Sequence, residues 1–242
     1  MDRTSTVRTS MAAYTGEHVL GDIVTADPST TRILSRFGID FCCHGRRRLA
    51  EACAADGVDA GELLAALNAV EPGRPADWAG YDDVSLIAHI VSTHHRFLWD
   101  EFPRLTELVD KVARVHGPRH GELIDVREVF HRLRDEMEPH LRREETLLFP
   151  QISLHAGRPE QALPDDVRAE LSGNQDEHDR CGELLAELRA LTDGYAVPAD
   201  ACASYTAMLA GLADLESDIH LHVHKENNVL FPRVLAAAGD RA

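Results

Sequence analysis

The chain has 242 residues, an ordinary apolar content of 44% and only 5% aromatic residues, enough for one bundle-sized domain and a small companion. Its formal charge of −16 argues against a nucleic-acid partner, because phosphate contacts need clustered Lys and Arg and the run Arg46-Arg47-Arg48 is too short to supply them. No apolar stretch approaches the roughly 18 residues that span a bilayer, and the first residues lack the apolar core of a secretory signal, so a cytoplasmic protein without a membrane partner is expected.

Alanine and leucine abound while β-branched residues are sparse, which favours an all-α fold. Residues 1–70 read as a small helical domain. Pro28 and Ser29 open a helix that runs through Ile33, Leu34 and Phe37 and stops at Gly38. Phe41 to Gly45 (FCCHG) forms a turn, and helices are expected again over Arg46 to Ala55 and Ala60 to Val70. Residues 71–80 hold two prolines and two glycines, the composition of a linker.

Residues 81–242 carry four long segments of helical periodicity, about 83–115, 121–153, 164–192 and 199–235, with short breaks marked by Gly and Pro. That is the sequence form of an antiparallel four-helix bundle. Pro103 and Pro139 fall inside these segments and predict kinks or restarts. The second half repeats the first as a duplicated helical hairpin. His140-x-x-x-Glu144-x-x-x-Leu-Phe149-Pro150 matches His222-x-x-x-Glu226-x-x-x-Leu-Phe231-Pro232 at an offset of 82 residues (140 to 222). Phe149 and Phe231 are read as core packing, and Pro150 and Pro232 as disturbing or ending their helices.

His and Glu at i and i+4 lie one turn apart on one face, here a face that points inward. A buried carboxylate costs several kcal/mol unless it is paired or bound to metal, and no matching buried cation is evident for either copy. A bundle site draws ligands from all four helices. The third segment offers His178, after Glu177. The first offers His89, His94 and His95, and periodicity does not choose between the last two. His95 precedes His140 by 45 residues as His178 precedes His222 by 44, so His95 is the closer repeat mate. His89 and the other histidines are read as surface or packing residues. Four imidazoles and two carboxylates are too nitrogen-rich for magnesium or calcium and too many for one tetrahedral zinc. They suit two redox-capable iron ions bridged by the glutamates, ahead of manganese, with zinc left open.

Five cysteines, two of them adjacent, make a poor disulfide framework and are expected to be thiols. Cys42 and Cys43 sit in a turn before His44 and three arginines, whose charge is expected to lower a thiol pKa and favour the thiolate, a soft iron ligand. Cys53, Cys181 and Cys202 are read as structural.

The Phe-Cys42-Cys43-His-Gly turn, His178 after Glu177, and His222-x-x-x-Glu226-Asn-Asn-Val-Leu-Phe-Pro together resemble the Repair of Iron Centers proteins over about Val19 to Leu235. That family has a hemerythrin-like di-iron bundle behind a small N-terminal domain. The resemblance implies iron ligands at His95, His140, Glu144, His178, His222 and Glu226. It chooses His95 because the family's first-helix histidine lies eight residues before a proline, here Pro103. It further implies acidic second-layer or channel roles for Glu136 and Glu177, and a thiol role in iron transfer for Cys42 and Cys43. The function it implies is repair of iron–sulfur clusters damaged by nitric oxide or oxidants, with damaged iron–sulfur proteins as clients. The same site would also suit two rival functions, dioxygen or nitric oxide binding as in the hemerythrins, and nitric oxide reduction. Gly182 stands four residues after His178, where an oxygen carrier places a further histidine, which disfavours dioxygen carriage. The oligomeric state stays open, a homodimer included.

Overall fold

The computed structural model describes residues 13–70, 76–156 and 163–237, and the chain divides into two compact units at Ala76 and Asp77. The first unit contains α1 (Leu20–Ala26), a 3-10 turn at Pro28–Thr30, α2 (Thr31–Arg36), α3 (Leu49–Asp56) and α4 (Ala60–Ala69). Asp27 accepts from Ser29 N (2.9 Å) and Asp59 from Glu62 N (2.9 Å), capping two helical starts. Leu20, Ile23, Val24, Leu34, Phe41, Leu49, Leu63 and Leu67 form its core. Gly38 has φ +71° just past α2, so only a residue without a Cβ turns the chain there without strain.

The helix expected from Arg46 instead begins at Leu49. Leu20 N bonds Arg47 O (3.1 Å) and Gly21 N bonds Gly45 O (2.8 Å), so a turn closed by Arg47 N on His44 O (3.1 Å) is pinned against the start of α1 where a helix was expected. A single bridge, Val19 to Arg48, is the β pairing seen among the described residues.

In the second unit the proposed linker 71–80 reads differently where it is described. Residues 71–75 lie outside the described residues, but Asp77–Gly80 is a 3-10 turn whose Trp78 is buried against Lys225, the ammonium 5.1 Å from the ring centroid. These residues belong to the bundle unit.

Four long helices follow. The first is α5 (Asp83–Ile90), a π-turn at Val91–His95 and α6 (Arg96–His116). The second is α7 (Glu122–Arg143), a π-turn at Glu144–Leu148 and α8 (Phe149–His155). The third, α9 (Asp165–Leu191), is uninterrupted. The fourth is α10 (Ala203–Lys225), a π-turn at Glu226–Leu230 and α11 (Phe231–Ala237). Neighbours pack in a closed cycle, α6 on α7, α7 on α9, α9 on α10 and α10 on α6. Leu98, Phe102, Phe130, Leu133, Met208, Leu215 and Phe231 lie in the core between them.

The prolines act differently from expectation. Pro103 and Pro139 sit inside continuous α-helix, on exposed positions. The interruptions are the π-turns. Pro150 and Pro232 do not end their helices; each occupies the second position of the segment that resumes after a π-turn, where a missing N–H costs little.

Candidate metal centre

Each π-turn carries a ligand-type side chain at its edge: His95 ends the first, Glu144 begins the second and Glu226 begins the third. A π-turn admits one extra residue per turn, and such turns recur at functional sites because they re-aim a side chain without ending the helix. His95, His140, Glu144, His178, His222 and Glu226 are all buried, none more than 2% exposed. They fall into two groups, His95-Glu144-His222-Glu226 and His140-Glu144-His178-Glu226. Both glutamates belong to both groups.

The distances are those of ligand atoms facing common centres. His95 Nε2 lies 3.2 Å from His222 Nε2, and His140 Nε2 lies 3.2 Å from His178 Nε2. Metal bonds of about 2.1 Å set neighbouring donor atoms about 3 Å apart. Glu144 Oε2 is 3.4 Å from Nε2 of both His95 and His140. Glu226 Oε1 is 2.9 Å from His222 Nε2, and its Oε2 is 3.2 Å from His178 Nε2. Oε2 of Glu144 and Oε2 of Glu226 are buried without a hydrogen-bond partner, a costly arrangement for carboxylates that bound cations would relieve. The donor set therefore fits metal.

Outer groups aim the imidazoles. His95 Nδ1 donates to Glu145 Oε1 (3.0 Å), which also accepts from Trp99 Nε1 (3.0 Å). His140 Nδ1 donates to Glu177 Oε2 (2.7 Å), itself paired with Arg143. His178 Nδ1 donates to Asn227 Oδ1 (3.0 Å), and Asn174 Nδ2 donates to Glu144 Oε1 (2.7 Å). A carboxylate or amide oxygen on Nδ1 keeps the proton there and leaves the Nε2 lone pair inward. The hydrogen bond from His140, with Arg143 nearby, draws the Glu177 carboxyl down to about 2. Burial pushes the Glu226 carboxyl up, but His222 and His178 outweigh it and hold the group well below the usual carboxylate range.

Of the two acidic residues expected nearby, Glu177 reaches a ligand and Glu136 does not. Glu136 is exposed and pairs with Arg180 on the bundle surface (3.8 Å). Glu145, Asn174, Asn227 and Trp99 escaped the sequence reading. The repeat held a signal for two of them: Glu145 and Asn227 each follow a shared glutamate, and each orients the histidine of the preceding helix. His94, the alternative to His95, points elsewhere. Its ring stacks on His222 (5.6 Å between centroids), its Nδ1 meets Asp218 Oδ1 (2.7 Å) and its Nε2 meets Lys225 Nζ (2.6 Å). Burial lowers His94 to about 2 and Lys225 to about 8, and raises Asp218 to about 7. The repeat maps His94 onto Glu177 and Lys225 onto Arg143, so the two halves share a plan with different chemistry.

In the first unit, Cys42 and Cys43 lie side by side with sulfurs 3.7 Å apart and no disulfide. The expected thiolate is not favoured at Cys42. Its hydrogen bond with Cys43, its burial and the Asp40 charge hold its pKa well above the ordinary thiol value. Nearby arginines are engaged elsewhere, Arg47 with Asp56 (3.3 Å) and Arg48 with Glu17.

Comparison with known proteins finds a family for each of the two units. Residues 86–234 match the hemerythrin HHE cation-binding domain, and residues 16–71 match ScdA_N, a domain of unknown function (DUF542). The iron-sulfur cluster repair protein ScdA of Staphylococcus haemolyticus is 36% identical over 221 residues, covering 90% of this chain and 97% of the relative. This chain belongs to the Repair of Iron Centers family. Another relative is the iron-sulfur cluster repair protein YtfE of Musicola paradisiaca, 33% identical over 226 residues (90% of this chain, 96% of the relative). The YtfE protein of Escherichia coli O1:K1 is 30% identical over 218 residues, 90% of this chain and 96% of that protein. The bundle thus carries a metal site of a cation-binding domain. Among the described residues no helix is long and apolar enough to cross a membrane.

Proposed function

We propose that the protein repairs iron–sulfur clusters damaged by nitric oxide or oxidants, using two iron ions held in the bundle, with the damaged iron–sulfur proteins as its clients. The observation that carries this reading is the pair of four-residue groups sharing Glu144 and Glu226, because a shared carboxylate is what distinguishes a two-metal site from two separate ones. His95 and His222 would hold one ion, His140 and His178 the other, and both glutamates would bridge. Bound there, the irons supply ferrous ions for delivery and one-electron chemistry. The chain's own part is positional: Glu145, Glu177 and Asn227 hold protons on three Nδ1 atoms, and the buried walls exclude bulk water. Cys42 and Cys43 are the groups we assign to passing iron onward. The relatives' printed role in cluster repair supports the assignment.

Iron-loaded protein is expected to reactivate a nitrosylated [4Fe–4S] enzyme, with His222→Ala and Cys42→Ser both impaired. Equal repair by both variants would sink the reading. Mössbauer spectroscopy should show two coupled irons per chain; one zinc per chain in protein grown with ample iron would overturn the metal assignment.

A further inference from the structure

The turn that carries the two cysteines is organised by a residue the sequence reading passed over. Asp40 Oδ1 accepts from the backbone N–H of Cys42 (3.0 Å), from that of Cys43 (2.9 Å) and from the Cys42 thiol (3.3 Å). Its other oxygen is held by His44 Nδ1 at 2.6 Å. Asp40 Oδ1 and the two sulfurs are mutually close enough to share one ion.

We infer that Asp40, Cys42 and Cys43 form a mononuclear site for a borderline divalent metal ion, ferrous iron or zinc, with Asp40 as its third ligand. The spacing carries the argument. Tetrahedral bonds of about 2.3 Å to sulfur and about 2.1 Å to oxygen place two sulfurs about 3.8 Å apart and sulfur and oxygen about 3.6 Å apart. The observed separations are 3.7 Å and 3.3 Å. The incoming ion displaces the thiol protons to solvent, and the two thiolates so formed select a borderline ion over magnesium or calcium, while the carboxylate adds a harder donor that keeps the ion exchangeable. His44 orients Asp40 as an outer partner orients a metal ligand, and three protein ligands leave a fourth position for an incoming group. Asp40 thus serves two purposes at once: it shapes the turn through two backbone N–H groups, and it completes the donor set.

The site extends the thiol-pair part of the proposed function and is independent of the bundle ligands. Cobalt(II) is a suitable probe, because thiolate-to-cobalt charge transfer absorbs in the near ultraviolet and the bundle ligands contain no sulfur. Titrating the full-length protein should give one such band per chain. Cys42→Ser and Cys43→Ser should each weaken it strongly, and Asp40→Asn, which keeps an acceptor for the turn's N–H groups, should weaken cobalt binding about tenfold or more. His222→Ala should leave the band in place. Cadmium-113 NMR of the parent protein gives a second reading that needs no variant, with a resonance for mixed sulfur and oxygen ligation expected. No band in the parent, unchanged affinity in Asp40→Asn, or a cadmium shift for sulfur ligands alone would each overturn the assignment. A failed cluster-repair assay with the band intact would instead count against the proposed function.

Discussion

Glu144 and Glu226 differ from the histidines in one respect that can be measured: each belongs to both ligand groups, whereas each histidine belongs to one. Glu144→Ala or Glu226→Ala is therefore expected to empty both positions, taking metal content from two ions per chain toward none. His178→Ala should remove one ion first, which elemental analysis with Mössbauer spectroscopy would separate. Equal losses in the two kinds of variant would mean that the carboxylates do not bridge. The outer groups act at the same scale with smaller effect. Glu177→Gln keeps the shape but removes the charge that faces His140 Nδ1, and Asn227→Ala removes the acceptor on His178 Nδ1. Each is expected to weaken iron affinity by about 10–100-fold while the ligands stay in place, read by chelator competition.

The bundle helices owe their register to features that helical periodicity does not record. Each shared glutamate opens a π-turn, so the segment after it is rotated relative to an unbroken α-helix. Inserting one alanine between Leu230 and Phe231, where the π-turn has already taken up its one extra residue, would swing α11 by about 100°. Phe231 and Val234, both buried, would leave the core, and the loss should reach the size of a large core truncation, about 3–5 kcal/mol in urea unfolding. An unchanged midpoint would show that this register is not needed for packing. The close crossing of α10 and α6 is a second such feature. A Cβ at Gly211 would sit 2.6 Å from Leu105 Cδ2 and 2.7 Å from Arg104 Nη2. Arg104 can move aside, but Leu105 is fully buried, so Gly211→Ala is expected to cost about 1–3 kcal/mol.

Across the whole molecule, six buried imidazoles and carboxylates sit at the centre of the bundle, and without metal they are a burden on folding. The donor groups of the folded bundle have no preformed counterpart in the unfolded chain, so loading with iron should raise the melting temperature. At about a thousandfold excess over Kd the stabilisation is about 4 kcal/mol. Calorimetry of metal-free and loaded protein checks this, and the Glu226→Ala variant should lose the increment. The two units differ in what stabilises them: the first rests on a small apolar core, while the second surrounds a polar centre.

The all-α fold, the four bundle helices and four of the six side chains that converge in the bundle were legible in the sequence, because a duplicated H-x-x-x-E block records a helical period and one shared inward face. His178 was legible as the ligand-type residue of its helix. The choice between His94 and His95 was not, since both flank the apolar stripe and only the π-turn at Val91–His95 aims one inward while the other stacks on His222. Outer partners were hidden for a related reason. Glu145 and Asn227 look like surface residues until another helix brings a ring nitrogen within 3.0 Å. Glu136, which the resemblance placed near the site, lies on the surface with Arg180, because its helix face is set by packing and not by its spacing to His140. Composition and periodicity determine which residues lie on one helix face. Which atoms of four separate helices converge depends on the rotation and depth of each helix, and those are decided by tertiary packing.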